Sequence, residues 1–474
     1  MKLLRSTLLA LALVSAASAQ TNPLVDPYIT VRAPVVALTH ARVVDGLGHA
    51  PLENQTLVLR HGKIAALGAD GSVAIPEGAT VNDLTGKTVL PGFVMVHEHL
   101  FYSSITKGPF HVNEMEFSFP RLYLAAGVTS ARTTGSMEPY TDLQLKKQIE
   151  AGQAIGPKLH LTAPYFDGEG TGITQLHAVA NAAAAERMVN YWADEGFTSL
   201  KMYQNLPLDI MAAAIKAAHA RGLHVTGHIG KVSYREAVET GIDNLEHGFM
   251  AMSDFNAGRK TGDASNALAN YHALEQLDPA SPEFEALVKL LVDHHVALTS
   301  TLAIFETFTP GRRVASQAEL DTLAPPLRES YLTRWAAIQT QNNPLFRASF
   351  AKNLQLEAKF FRAGGHLVVG TDPTGYGGCI AGYGNWRAIE LLVEAGLTPV
   401  EAIQVATNNG ARLLKIDATV GSIEVGKAAD LVIVNGDPSK TISDLRKTET
   451  VFKDGVGYDT RKILESVKGL VGIQ

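Results

Sequence analysis

Cysteine is nearly missing from this chain: Cys379 is the only one in 474 residues, so no intrachain disulfide is possible. The fold must be held by its core. Clusters of basic residues interleaved with aromatics are also lacking, and the formal net charge is -6, which argues against nucleic acid as a partner. No Gly-x-Gly-x-x-Gly follows the first strand-like run and no Walker-type lysine loop occurs, so a nucleotide-binding fold has no support. The apolar run at residues 8–14 is too short to span a bilayer as a stable helix. Instead, Lys2 and Arg5 before it and Ala17-Ser18-Ala19 after it have the layout of a secretory signal cleaved after Ala19. A retained N-terminal anchor helix is the alternative. With no cysteine after the cleavage point to carry a lipid, a soluble periplasmic or secreted protein without a membrane span is expected.

What remains is an ordinary globular composition, 46% hydrophobic and 19% charged, long enough for one large domain and a smaller one. Residues 34–84 read as short strands with turns at Asp45-Gly46 and His61-Gly62, and residues 421–437 and 448–458 return to the same style. Two β-rich ends around one long middle predict a small sheet domain assembled from residues 20–85 and 416–474. Residues 86–415 then form a continuous insertion. In it, amphipathic helical runs repeatedly end in glycine just before the next strand, as at Gly127, Gly196, Gly222, Gly241 and Gly364. Strands are expected at 90–99, 128–134, 158–164, 199–203, 224–228, 244–247, 297–302 and 366–372. Eight strands alternating with helices fit a (β/α)8 barrel better than an open doubly wound sheet. Inserts at 250–282 and 305–345 follow the sixth and seventh strands and are expected to lie over the barrel mouth and shape the pocket.

In such barrels chemistry sits at the carboxyl ends of the strands, and metal-binding side chains fall there in this sequence. His97 and His99, two apart on a strand, share a face and can reach one ion. Lys201 lies near the end of the fourth strand, His228 closes the fifth, His247 the sixth and Asp372 the eighth. An ammonium group cannot coordinate a dication. A buried lysine loses its proton more readily, and the neutral amine can add carbon dioxide to give a carbamate with one oxygen for each of two metals. Lys201 would bridge one ion held by His97, His99 and Asp372 and another held by His228 and His247. A water shared by two dications ionises near neutral pH and attacks a carbonyl, with Asp372 placed to carry its proton to the leaving amine. Tyr203 shares the face of Lys201 and is a candidate substrate-binding residue, with core packing as the rival role. Arg132, Tyr165 and residues 166–168 are further candidates for the pocket lining. His160, His224, His294, His295 and His366 are read as structural.

The segments LPGFVMVHEHL, SLKMY, TGHIG, NLEHG, GTDP and GSIEVGKAADLVIVNGDP together resemble the amidohydrolase superfamily of metal-dependent hydrolases over about residues 34–458. The resemblance is to the branch of Xaa-Pro and Xaa-Arg dipeptidases and amidases acting on N-acyl amino acids such as ochratoxin, also labelled imidazolonepropionase-related. It implies a barrel with a β-sandwich, a binuclear zinc centre with a carboxylated lysine, a small-molecule substrate and a homo-oligomer. The family's ligand roles fall on His97, His99, Lys201, His228, His247 and Asp372. The first expectation is amide hydrolysis in a dipeptide or N-acyl amino acid. A single-metal cyclic amidohydrolase or deaminase, which has no need of Lys201, is the second. A non-catalytic secreted binding protein on the same scaffold is the third.

Overall fold

The computed structural model describes residues 22–104, 111–374 and 378–472; the expected signal segment lies outside them. Its middle region holds eight short parallel strands among the described residues, β1 (Phe93–Glu98), β2 (Val128–Thr133), β3 (Lys158–His160), β4 (Ser199–Met202), β5 (His224–Gly227), β6 (Asn244–Glu246), β7 (Ala297–Ser300) and β8 (Leu367–Val369), besides a small antiparallel pair, Phe101–Ser104 with His111–Glu114. Most are buried along their whole length, as expected of parallel strands covered on both faces. Strands β1 to β3 pair side by side and β4 to β8 pair in sequence order, all parallel. Backbone hydrogen bonds link the two sets on both flanks. Ala163 N donates to Ser199 O at 2.9 Å and Phe166 N to Lys201 O at 2.8 Å, while Thr371 N and Asp372 N donate to His97 O at 3.1 and 3.0 Å. The result is a TIM-barrel-like α/β fold. The helix Ala182–Glu195 shows how the joints are made: Asn181 caps its first turn, and Gly196 closes it at φ 99°, where a side chain would be strained.

Every strand expected in this region is present, but shorter. The run at 90–99 is in fact two strands, because the chain passes between sheets at Gly92. A side chain there would collide with Thr129, and Gly92 N donates to Asp430 O at 2.8 Å. Thr88–Pro91 pairs with Leu431–Val434 in a nine-stranded sheet that draws on both ends of the chain. Within this sheet His61 and Gly62, both at positive φ, turn Leu52–Arg60 tightly into Lys63–Ala69. Val36, Leu38, Leu57, Leu59, Leu431 and Ile433 form a hydrophobic cluster of its own there. At the barrel mouth the ladders of β6 and β8 stop before His247 and Asp372, which sit at φ 74° and 53°. Among the described residues no helix is long and apolar enough to cross a membrane.

Candidate metal centre

The carboxyl ends of β1, β4, β5, β6 and β8 converge on one cavity of about 350 Å³, lined by His97, His99, Lys201, His228, His247 and Asp372. All six residues expected from the sequence are thus brought together. The imidazole centroids of His97 lie 5.4 Å from those of His99 and 4.8 Å from those of His247, and His228 lies 4.1 Å from His247. Asp372 Oδ1 is 3.1 Å from His99 Nε2 and 3.7 Å from His97 Nε2, and its Oδ2 is 3.9 Å from His247 Nδ1. The tightest trio among the described residues is His97, His247 and Asp372, whose donor atoms all lie within 4.8 Å of one another. It draws one histidine from each of the two pairs expected from the sequence.

Electrostatics keep this donor set ready for a cation. Burial, followed by the charge of Lys201, pushes His228 down to about 3 and His97 well below its ordinary value. His247 is lowered by burial and then by His228 and His97. These rings are therefore neutral near pH 7, with a lone pair to offer. Burial alone would raise the pKa of Asp372, but His97, the hydrogen bond with His99 and Lys201 hold it well below the usual carboxylate range. Burial lowers Lys201 to about 8 against the opposing pull of Glu246 and Asp372. His99 Nδ1 is buried without a hydrogen-bond partner. Buried neutral imidazoles, an ionised carboxylate and an orphaned ring nitrogen around one cavity are a donor chemistry that fits divalent metal.

Sequence reasoning missed the residues behind the ligands. Glu246, wholly buried, accepts from His97 Nδ1 at 2.6 Å and from Arg132 Nη2 at 2.6 Å, and Thr226 Oγ1 donates to it as well. The bond fixes the His97 tautomer, so that Nε2 faces Asp372. Burial works to raise the pKa of Glu246, yet Arg132 and Lys201 hold it below the usual range. His247 Nδ1 is 2.9 Å from Thr301 Oγ1. Glu98, pushed up to about 8 by burial, receives Asn385 Nδ2 at 2.9 Å and the Thr371 hydroxyl, tying the residue before Asp372 in place. Arg132, a candidate lining residue from the sequence, is instead 2% exposed and also donates through Nε to Val96 O at 2.7 Å. Tyr165 and Tyr203 do line the cavity; Phe166 is core. The expectation that the two inserts shape the pocket is corrected: the described lining comes from β1 and β4 and from the residues just past β1 to β6 and β8. From the inserts, Phe305 reaches the site, its ring 5.7 Å from His247.

Ionisable donors at the carboxyl ends of parallel strands around a small cavity make a group that could hold a metal ion. The chain belongs to the Amidohydrolase family, which it matches over residues 88–457, and so it is a hydrolase acting on C–N bonds. It is 24% identical over 432 residues to the imidazolonepropionase of Geobacillus sp. (strain WCH70), covering 85% of this chain and 90% of that protein. Among solved structures it is similar to a Xaa-Pro dipeptidase with bound methionine in the active site, at TM-score 0.66 and 21% identity, covering 90% of this chain and 100% of the other. It is also similar to A. niger ochratoxinase, at TM-score 0.65 and 17% identity, covering 90% and 96%.

Proposed function

We propose that this protein is a binuclear metal-dependent amidohydrolase cleaving the amide bond of a small dipeptide or N-acyl amino acid. The observation that carries the reading is Lys201, 1% exposed, in the same cavity as four histidines and Asp372. An ammonium would repel metal there, whereas a carbamate on the neutral amine supplies the two oxygens a pair of ions needs. Divalent ions, zinc first among them, supply Lewis acidity and a water that ionises near neutral pH. Asp372 takes the proton of the attacking water and returns it to the leaving nitrogen. Tyr203 donates its phenol to the carbonyl oxygen as charge develops there. A cavity of about 350 Å³ is at the small end for ligand sites, which suits a substrate of dipeptide size. The reading includes a closed eight-stranded barrel, a small sandwich formed by the terminal sheet, export by the signal at 1–19 and a homo-oligomer.

A single-metal enzyme attacking a ring amide is the second reading. It is favoured by the compactness of the His97, His247 and Asp372 trio and by the likeness to imidazolonepropionase along most of the chain. Elemental analysis separates the two. About two metals per chain, falling to one or fewer in Lys201→Ala, is expected; one metal in both proteins overturns the binuclear reading. A panel of dipeptides, N-acyl amino acids and cyclic imides assigns the bond, and failure to cleave any open-chain amide overturns the substrate class.

A further inference from the structure

We infer that Phe101, Met137, Tyr165, Ile173 and Tyr203 form the subsite that selects the substrate's side group, and that this group is uncharged and apolar, aromatic or branched aliphatic. The inference rests on the amidohydrolase reading above and adds the chemistry of the substrate. All five line the cavity that holds the candidate ligands. They follow β1, β2, β3 and β4, so they wall one side of the mouth. With Val112 and Leu176 they make a hydrophobic cluster separate from the barrel core. An apolar wall facing an open cavity gains by exchanging water for an apolar ligand.

The wall begins at the ligands themselves. The ring of Phe101 lies 4.5 Å from His99, and Tyr203 meets His228 edge-on at 5.2 Å. Tyr165 stands edge-on to Tyr203 at 4.9 Å and packs over Gly135, where any side chain would collide with it. A group held here therefore sits next to the bond being cut. Ile173 is placed by the closure of its loop: Asp167 accepts from Asn205 N at 2.7 Å and Asn205 Nδ2 at 3.1 Å, and its carbonyl accepts from Val179 N at 2.8 Å. The only ionisable side chains among the described lining residues are the six candidate ligands and the two phenols. Nothing else there would compensate a charged side group for losing its water.

The test uses the zinc-loaded protein and three hydroxamic acids that share a metal-binding head: acetohydroxamate, 3-phenylpropionohydroxamate and succinic monohydroxamate. Calorimetry on the wild type is expected to give at least about tenfold tighter binding of the phenyl tail than of the carboxylate tail. Ile173→Asp should erase that ratio and Ile173→Ala should reduce it. Both variants should keep acetohydroxamate affinity within about threefold and the melting temperature of the wild type, because Ile173 lies on a half-exposed loop. Equal binding of the two tails by the wild type, or an unchanged ratio in Ile173→Asp, overturns the proposal. Turnover of an amide panel is scored separately. Binding that discriminates the tails while no amide is cleaved would remove the hydrolytic reading and leave the subsite standing.

Discussion

Replacing Glu246 should damage the metal centre and the fold by separable amounts. Its carboxylate serves three donors at once: His97 Nδ1 and Arg132 Nη2, each at 2.6 Å, and the Thr226 hydroxyl. Glu246→Gln keeps the shape but offers one acceptor oxygen and an amide that points donors at donors, leaving a buried donor unpaired at about 1–3 kcal/mol. Losing the carboxylate that holds a ligating histidine costs typically ~10–100-fold in metal affinity. Glu246→Ala goes further, because Arg132 is 2% exposed and its charge is left without a counterion, at about 3–5 kcal/mol. The double change Glu246→Ala with Arg132→Met removes that stranded charge. It should recover much of the stability while metal affinity stays low. Chelator competition followed by elemental analysis measures the affinity, and thermal melting of the metal-free protein measures the fold. Metal affinity in Glu246→Gln equal to that of the wild type would refute the positioning role, whatever happens to the melting temperature.

Asp372→Asn should keep the fold and most of the metal but lower kcat by about 10²-fold or more, since the amide cannot accept the proton; turnover with an amide substrate checks it. Tyr203→Phe should lower kcat/KM by about tenfold with metal content unchanged, and equal kinetic constants would leave the phenol a packing group. Glu357, buried beside Asn353 Nδ2 at 2.8 Å, is raised by burial from 4.5 to about 7. A carboxyl whose folded pKa is raised gives stability that is complete below its unfolded value and is lost as pH climbs through the folded one. The loss between about pH 4.5 and 7 is of order 3 kcal/mol. Glu357→Gln should therefore melt higher than the wild type at pH 8 and lose that advantage at acid pH. A pH-independent difference in melting temperature would show that Glu357 has the same pKa in the folded and unfolded chain.

The residues that meet in the cavity were legible because strand-end chemistry leaves a local trace: an apolar run, then a histidine, a lysine or an aspartate, repeated from His97 to Asp372. Their supports were not. Alternation along a strand puts neighbours such as Glu246 and His247 on opposite faces, and so hides any partnership of the two. In the structure His247 turns at φ 74°, a conformation strained for a residue with a side chain, and both groups serve the same site. Asp372 does the same at φ 53°. Arg132 looked like a pocket residue because a cation near a barrel mouth is polar by type. Only its distance to Glu246, from a strand far away in sequence, reveals it as a buried counterion. The origin of the pocket wall was misread for a related reason: insert length drew attention past β6 and β7. The short glycine-rich stretch after β3 instead adds Gly172 and Ile173 to the cavity lining.

That stretch has a consequence for how such an enzyme changes its diet. The candidate ligands are carried at the ends of buried parallel strands. Ile173 and Leu176, in contrast, ride on a segment whose two feet are clamped by Asp167. Replacing everything between the feet leaves the clamp and the strands where they were, so new preferences can be acquired by exchanging one cassette while the strand-end donors are inherited untouched.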